Sequence, residues 1–212
     1  IMNYIFDRNE KLAASLVKSL KERNFDAYYC GNSSEMIQLV LSLIPDKAII
    51  SFGGSMTIRD SGLVRELKEC KRFCVLDRDE VKPEERKEFM KAAMFCDFFL
   101  ASANAITEDG VIVNVDGTGN RVAPMIFGPD NVIVVVGMNK VVKNYDDAIA
   151  RARNYAAPVN AQRFDIKTPC KNLGKCMNCK SPDSICSTIV THRLSKPQGR
   201  IKVILVNEEL GF

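Results

Sequence analysis

Apolar positions along this chain change period repeatedly, from helical spacing to short continuous runs and back. Leu12, Leu16 and Leu20 recur at helical spacing, and Asp7 with Glu10 is placed to form a capping box ahead of them. Ala27 to Cys30 reads as a strand. Ser33 or Ser34 is positioned to cap a helix running through Ile44, which Pro45 closes. The pattern then predicts a buried strand over Lys47 to Phe52, a helix from about Met56 to Cys70, and a strand over Arg72 to Leu76. Pro83 leads into a helix with the sequence EERKEFMKAAMF. Asp97 to Ala101 and Val111 to Val115 read as strands, joined through Thr107–Gly110. The unbroken run Val132 to Val136 is the natural central strand. A helix over Asp146 to Ala156 should end at Pro158, and Thr188 to Thr191 and Ile201 to Val206 are strand-like.

Alternating βα units predict a three-layer α/β/α fold with a mainly parallel sheet and some antiparallel pairing late in the chain. A length of 212 residues with 46% hydrophobic content suits one large domain or one domain with an appendage. The expected division is an α/β domain over 1–165 and a segment over 166–212 packed on it. No apolar run approaches the ~18 residues a membrane helix needs. Asp7, Arg8, Glu10 and Lys11 interrupt the N-terminus, so no secretory signal is read and a cytoplasmic, reducing location is expected.

That setting changes the meaning of the cysteines. Four of the eight lie together as Cys170, Cys176, Cys179 and Cys186, spaced C-x5-C-x2-C-x6-C among Pro169, Gly174 and Ser181-Pro182-Asp183. Soft thiolates at this density point to a 4Fe–4S cluster or Zn²⁺. The order of gaps resembles the 4Fe–4S loop of certain DNA glycosylases, each outer gap differing by one. Paired disulfides would need an oxidising compartment. From Lys167 to Lys202 eight basic residues face Asp183 alone, a formal +7 in a chain of +4. Such charge would offset that of metal-bound thiolates. A zinc-stabilised nucleic-acid module is the weaker reading, because aromatic residues are sparse there. His192 reads as a surface or sheet-edge residue rather than a fifth ligand. Cys30, Cys70, Cys74 and Cys96 are scattered and carry no assigned role.

Two loops carry ligand chemistry. Ser51–Thr57 (SFGGSMT) follows a strand and opens a helix, where Gly53 and Gly54 admit close approach of a ligand and Ser55 and Thr57 offer hydroxyls. It is not a phosphate loop of the Walker type, and a plain strand–helix turn is the bland alternative. The second runs from Thr107 to Pro129. Glu108 or Asp109 is the candidate acid–base group there, and Asn114, Asp116 and Asn120 are candidate polar contacts. Arg121 is the candidate carboxylate or phosphate clamp. The alternative is a solvated turn at 116–120 with a surface ion pair. Asn139 and Lys140 end the next strand and are candidates for the same mouth.

GGSMT after a strand, TEDGVIVNVDGTGNRVAPMIFGP, VIVVVG with NKVV, and AAPVNAQR together resemble the LUD (lactate utilisation) domain family, which includes LutC-type proteins. The resemblance spans Ser51 to Arg163 and implies a fold similar to the sugar-phosphate isomerase and CoA-transferase superfamily. In that superfamily a glycine/serine/threonine loop at a strand end binds phosphate or carboxylate, which maps onto Gly53, Gly54, Ser55 and Thr57. It also implies a small anionic metabolite as ligand and iron–sulfur partner proteins in L-lactate oxidation. The four-cysteine segment lies outside the LutC pattern and reads as a subgroup feature. The competing expectation is a non-redox enzyme on a phosphorylated or acyl substrate, with Glu108 or Asp109 in acid–base chemistry and zinc as a structural ion.

Overall fold

The computed structural model describes residues 4–212. In chain order the regular elements are α1 (Tyr4–Glu22), β1 (Asp26–Cys30), α2 (Ser33–Leu43), β2 (Ile49–Phe52), α3 (Met56–Asp60), α4 (Leu63–Glu69) and β3 (Cys74–Leu76). Next come α5 (Arg86–Ala92), β4 (Phe98–Ser102), β5 (Ala105–Thr107), β6 (Ile112–Asp116), α6 (Val122–Ile126), β7 (Asn131–Gly137) and β8 (Val141–Val142). The chain closes with α7 (Tyr145–Arg151), α8 (Ala157–Ala161), α9 (Pro169–Leu173), β9 (Thr188–His192) and β10 (Ile201–Val206).

Six strands form the main sheet in the order β1-β10-β7-β4-β2-β3, and every pairing in it is parallel. The β-branched run of β7 lies inside this sheet with Val132 to Val136 fully buried, as its unbroken apolar pattern requires. One face is covered by α2, α3 and α4 through Met36, Val40, Ile58, Leu63 and Leu67. The other is covered by α1 through Ala13, Leu16 and Leu20, and by Ile106 and Ile112. Each fully buried leucine contributes about 1.5–3 kcal/mol. The result is the expected three-layer α/β arrangement with a mainly parallel sheet.

A second sheet was not anticipated. Its order is β8-β5-β6-β9, with β5–β6 and β6–β9 antiparallel. Its outer face packs Ala105, Val113 and Val115 on Ala148, Ala152 and Ala157. The 166–212 segment therefore supplies β9 to this sheet and β10 to the interior of the main one.

Local expectations needed correction at four points. The first helix already includes Tyr4, so Asp7 and Glu10 lie within it and do not start it. Asn32, not Ser33 or Ser34, caps α2: its side chain accepts from the Glu35 amide while Glu35 accepts from the Gly31 amide. The helix expected over Met56 to Cys70 is two, because Gly62 adopts φ 81° between them. Pro158 does not end the helix that begins after Asn144. A π-helical turn over Ala152–Ala156 precedes it, and Pro158 sits in the first turn of α8, where its missing N–H is tolerated.

Candidate functional site

The carboxyl ends of three adjacent parallel strands, β2, β4 and β7, converge on one place. This is where ligands gather in open α/β sheets. Thr57 follows β2, Ser102 ends β4, and Lys140 closes the single 3₁₀ turn after β7. The Lys140 ammonium donates to Thr57 Oγ1 at 2.7 Å and to Ser102 Oγ at 3.1 Å. Thr57 in turn donates to the Leu210 carbonyl. Lys140 is 2% exposed, and both of its hydrogen-bond partners are hydroxyls. Burial first, then the charges of Arg151 and Arg121, lower its pKa from 10.5 to about 7.

These groups line a recess of about 50 Å³ with Gly54, Ser55, Asn104, Arg121, Asn160, Arg163 and Phe212. The recess shares Gly54, Asn104, Arg121, Asn160 and Arg163 with a larger cleft of about 420 Å³. Arg121 spans both. Its Nη2 donates to Asn104 Oδ1 at 2.9 Å and to the Val115 carbonyl at 2.5 Å, and its Nε lies 3.7 Å from Asp116. Burial lowers the Arg121 pKa, against the opposing pull of Asp116. Arg151 donates to the Asn104 carbonyl, and Arg163 to the Gly54 carbonyl and Asn160 Oδ1. Arg78 also reaches the cleft beside Gly54, where a Cβ would collide with its Nη2. Four basic side chains, Arg78, Arg121, Lys140 and Arg163, thus line the recess or cleft, against Asp116 and Asp183, so the field favours an anion.

The structure brings Gly54, Asp116, Asn120 and Arg121 to the cleft, and Gly54, Ser55, Thr57, Arg121 and Lys140 to the recess. Ser55 also caps α3, accepting from the Ile58 amide. Asp116 organises the turn after β6, accepting from the amides of Thr118, Gly119 and Arg121. Gly53 lies behind Arg121, whose Cγ would stand 3.1 Å from an added Cβ. The remaining candidates are elsewhere. Asn114 is buried in β6 with its amide toward Met125 Sδ. Asn139 holds the C-terminal stretch, donating to the Gly211 carbonyl and accepting from the Leu210 amide. Glu108 and Asp109 do not line the cleft: Glu108 pairs with Lys143 and Asp109 with Arg23. Thr107 donates to Asp109, which together with Arg23 holds that carboxyl below the usual range.

Sequence reasoning passed over Ser102, Asn104, Arg78, Arg151, Asn160 and Arg163. Ser102 and Asn104 were findable as polar residues just at and past the end of a buried strand. Asn160 and Arg163 stood in AAPVNAQR.

Cys170, Cys176, Cys179 and Cys186 all line a second cavity of about 260 Å³, with Arg153, Ala157, Pro158 and Met177 among its walls. All four are free thiols. Among the described residues no three His, Cys, Asp or Glu side chains draw close enough to share one ion. His192 ends the edge strand β9 and does not line this cavity. None of the four cysteines lines the cleft, but their segment adjoins it. Pro182, Asp183, Ser184 and Ile185 form a wall of the cleft, the next residue is Cys186, and Ala157 lines both spaces. Cys30 and Cys96 are buried in the core, which pushes their thiols up to about 11.

No helix among the described residues is long and apolar enough to cross a membrane. Among solved structures the chain is similar to a DUF162 family protein from Deinococcus radiodurans, at TM-score 0.54 and 14% identity over 93% of this chain and 98% of that one. It is also similar in part to the translation initiation factor eIF-2B of Pyrococcus horikoshii OT3, at TM-score 0.37 and 19% identity over 54% and 50% of the two chains. No curated protein matches it. The family model of the LUD domain matches residues 13–206. The chain belongs to the LUD domain family.

Proposed function

We propose that this LUD protein serves small-carboxylate, lactate-type redox metabolism. The cleft takes a small anionic metabolite, and Cys170, Cys176, Cys179 and Cys186 hold a 4Fe–4S cluster. One observation carries the reading: four free thiols surround a single cavity that shares Ala157 with a cation-rich cleft, and Cys186 of that cavity directly follows the Pro182–Ile185 wall of the cleft. The donor set fits the group, since four soft thiolates are its usual ligands. Such a cluster supplies one-electron transfer at a potential set by nearby charge and solvent exposure. The LutC-like context and the iron–sulfur partner proteins rest on the resemblance in sequence. A non-redox role for Glu108 or Asp109 draws no support from the cleft, which neither residue lines.

Anaerobic purification with iron, sulfide and zinc analysis tests this. Four iron and four sulfide per chain, with absorbance near about 400 nm that Cys179→Ser removes, is the expected result. A colourless protein with stoichiometric zinc overturns the redox part.

A further inference from the structure

We propose that Lys140 is a nucleophile that forms a Schiff base with the carbonyl carbon of a 2-oxo carboxylate lodged between the recess and the cleft. The inference rests on the anion-binding reading of the cleft and adds a covalent step to it. It stands on geometry first. Lys140 lies at the end of the central strand β7, fixed by two hydroxyls and enclosed. Buried lysines ordinarily recruit a carboxylate, and this one has none among its hydrogen-bond partners. Instead it is desolvated beside Arg151 and Arg121, the two conditions that make a lysine amine nucleophilic. Its depressed pKa, about 7, gives a large neutral fraction at neutral pH.

The surroundings match the rest of the substrate. Arg121 lines both the recess and the cleft, so a carboxylate at its guanidinium places the adjacent carbonyl toward the recess. A recess of about 50 Å³ admits the reacting end of a small acid and leaves its remainder in the cleft. Thr57 and Ser102 hydroxyls, 3.2 Å apart and both bonded to Nζ, are placed to carry protons.

The step balances without an oxidant. The neutral amine attacks the carbonyl carbon, a C–N bond forms, and the carbonyl oxygen takes a proton to give a carbinolamine. That oxygen then leaves as water when its C–O bond breaks, assisted by a proton relayed through Ser102 and Thr57. The product is an imine, and its hydrolysis restores the lysine.

The test incubates the full chain with pyruvate and sodium borohydride, then measures intact mass and maps the modified peptide. The expected result is the gain of one reduced pyruvyl group at Lys140. The rate should rise as pH increases through about 7 and be at least tenfold lower with acetaldehyde, which lacks the carboxylate. Lys140→Arg keeps a cation but no nucleophilic amine, and must lose the adduct while its circular dichroism stays native. Pyruvate binding, followed by saturation-transfer NMR, separates the two claims. Pyruvate that binds without being trapped overturns the nucleophile and leaves the carboxylate cleft standing. Pyruvate that does not bind overturns both. Labelling spread over surface lysines and unchanged in Lys140→Arg also overturns the proposal.

Discussion

Replacing Lys140 by methionine isolates the cost of burying an amine without a counter-ion. Methionine keeps most of the apolar body of the side chain, one atom shorter, and discards the charge. A fall in pKa from 10.5 to about 7 corresponds to about 5 kcal/mol at about 1.4 kcal/mol per tenfold change in proton affinity. The sign follows from which state holds the proton. Below about pH 7 both folded and unfolded chains carry a protonated lysine, and the folded state bears the full cost. Between about 7 and 10.5 the unfolded chain keeps a proton that the folded one has shed, so wild-type stability from this group rises with pH. Above 10.5 the cost is gone. Lost hydrogen bonds to Thr57 and Ser102 subtract about 1–3 kcal/mol from the variant at every pH. Urea unfolding of both proteins at about pH 6 and about pH 9.5 reads the difference, and titrations elsewhere in the chain cancel between them. The variant should be the more stable at the lower pH, and its advantage should shrink by roughly 3 kcal/mol at the higher. A difference that does not change with pH refutes the uncompensated buried amine.

Two further substitutions probe the frame that holds the site. Asp77 is 6% exposed and accepts from Lys68 at 2.7 Å, from the Asp79 amide at 3.0 Å and from Arg59 at 3.4 Å. Burial alone would raise its pKa, but the hydrogen bonds and charges of these partners outweigh it and hold the carboxyl low. Asp77→Asn should cost about 2 kcal/mol near neutral pH by urea unfolding, the partners' exposure having moderated the loss. That gap should close as pH falls through the folded-state pKa of Asp77, where the wild-type carboxylate is itself protonated. Gly137→Ala should cost about 1–3 kcal/mol and loosen the Lys140 recess. An added Cβ would stand 2.7 Å from the Glu208 carbonyl and 2.8 Å from the Leu210 amide, and would also collide with Asn139. Thermal unfolding together with faster hydrogen exchange at the Leu210 amide, which donates to Asn139 Oδ1, measures both effects.

Much of the frame was legible because burial writes itself into long apolar runs. The sequence VIVVV pointed to a central strand, and the alternation around it implied a mainly parallel sheet. The second sheet was not legible. Its strands β5 and β8 have three and two residues, too few to establish a period. Gly62 was visible, but the apolar spacing continues across it from Ile58 to Leu63 and Leu67, which hid the break between α3 and α4. Pro158 misled because a π-helical turn re-aims the backbone before it, an event that no side-chain pattern announces. Within the site, Thr57 and Lys140 were named from strand-end position, and Arg121 from its guanidinium chemistry. Glu108 and Asp109 were named from chemistry alone, at the end of β5 that points away from the cleft. The adjacency of the cysteine cavity to the ligand cleft depends on β9 returning to pair with β6, a contact between positions more than seventy residues apart.

Electron paramagnetic resonance of the reduced, anaerobically purified protein reads that adjacency. A 4Fe–4S signal should appear, and its line shape should change when L-lactate or pyruvate is added, because the Pro182–Ile185 wall of the cleft leads straight into Cys186. Absence of a cluster signal, or a signal indifferent to saturating carboxylate, would contradict it.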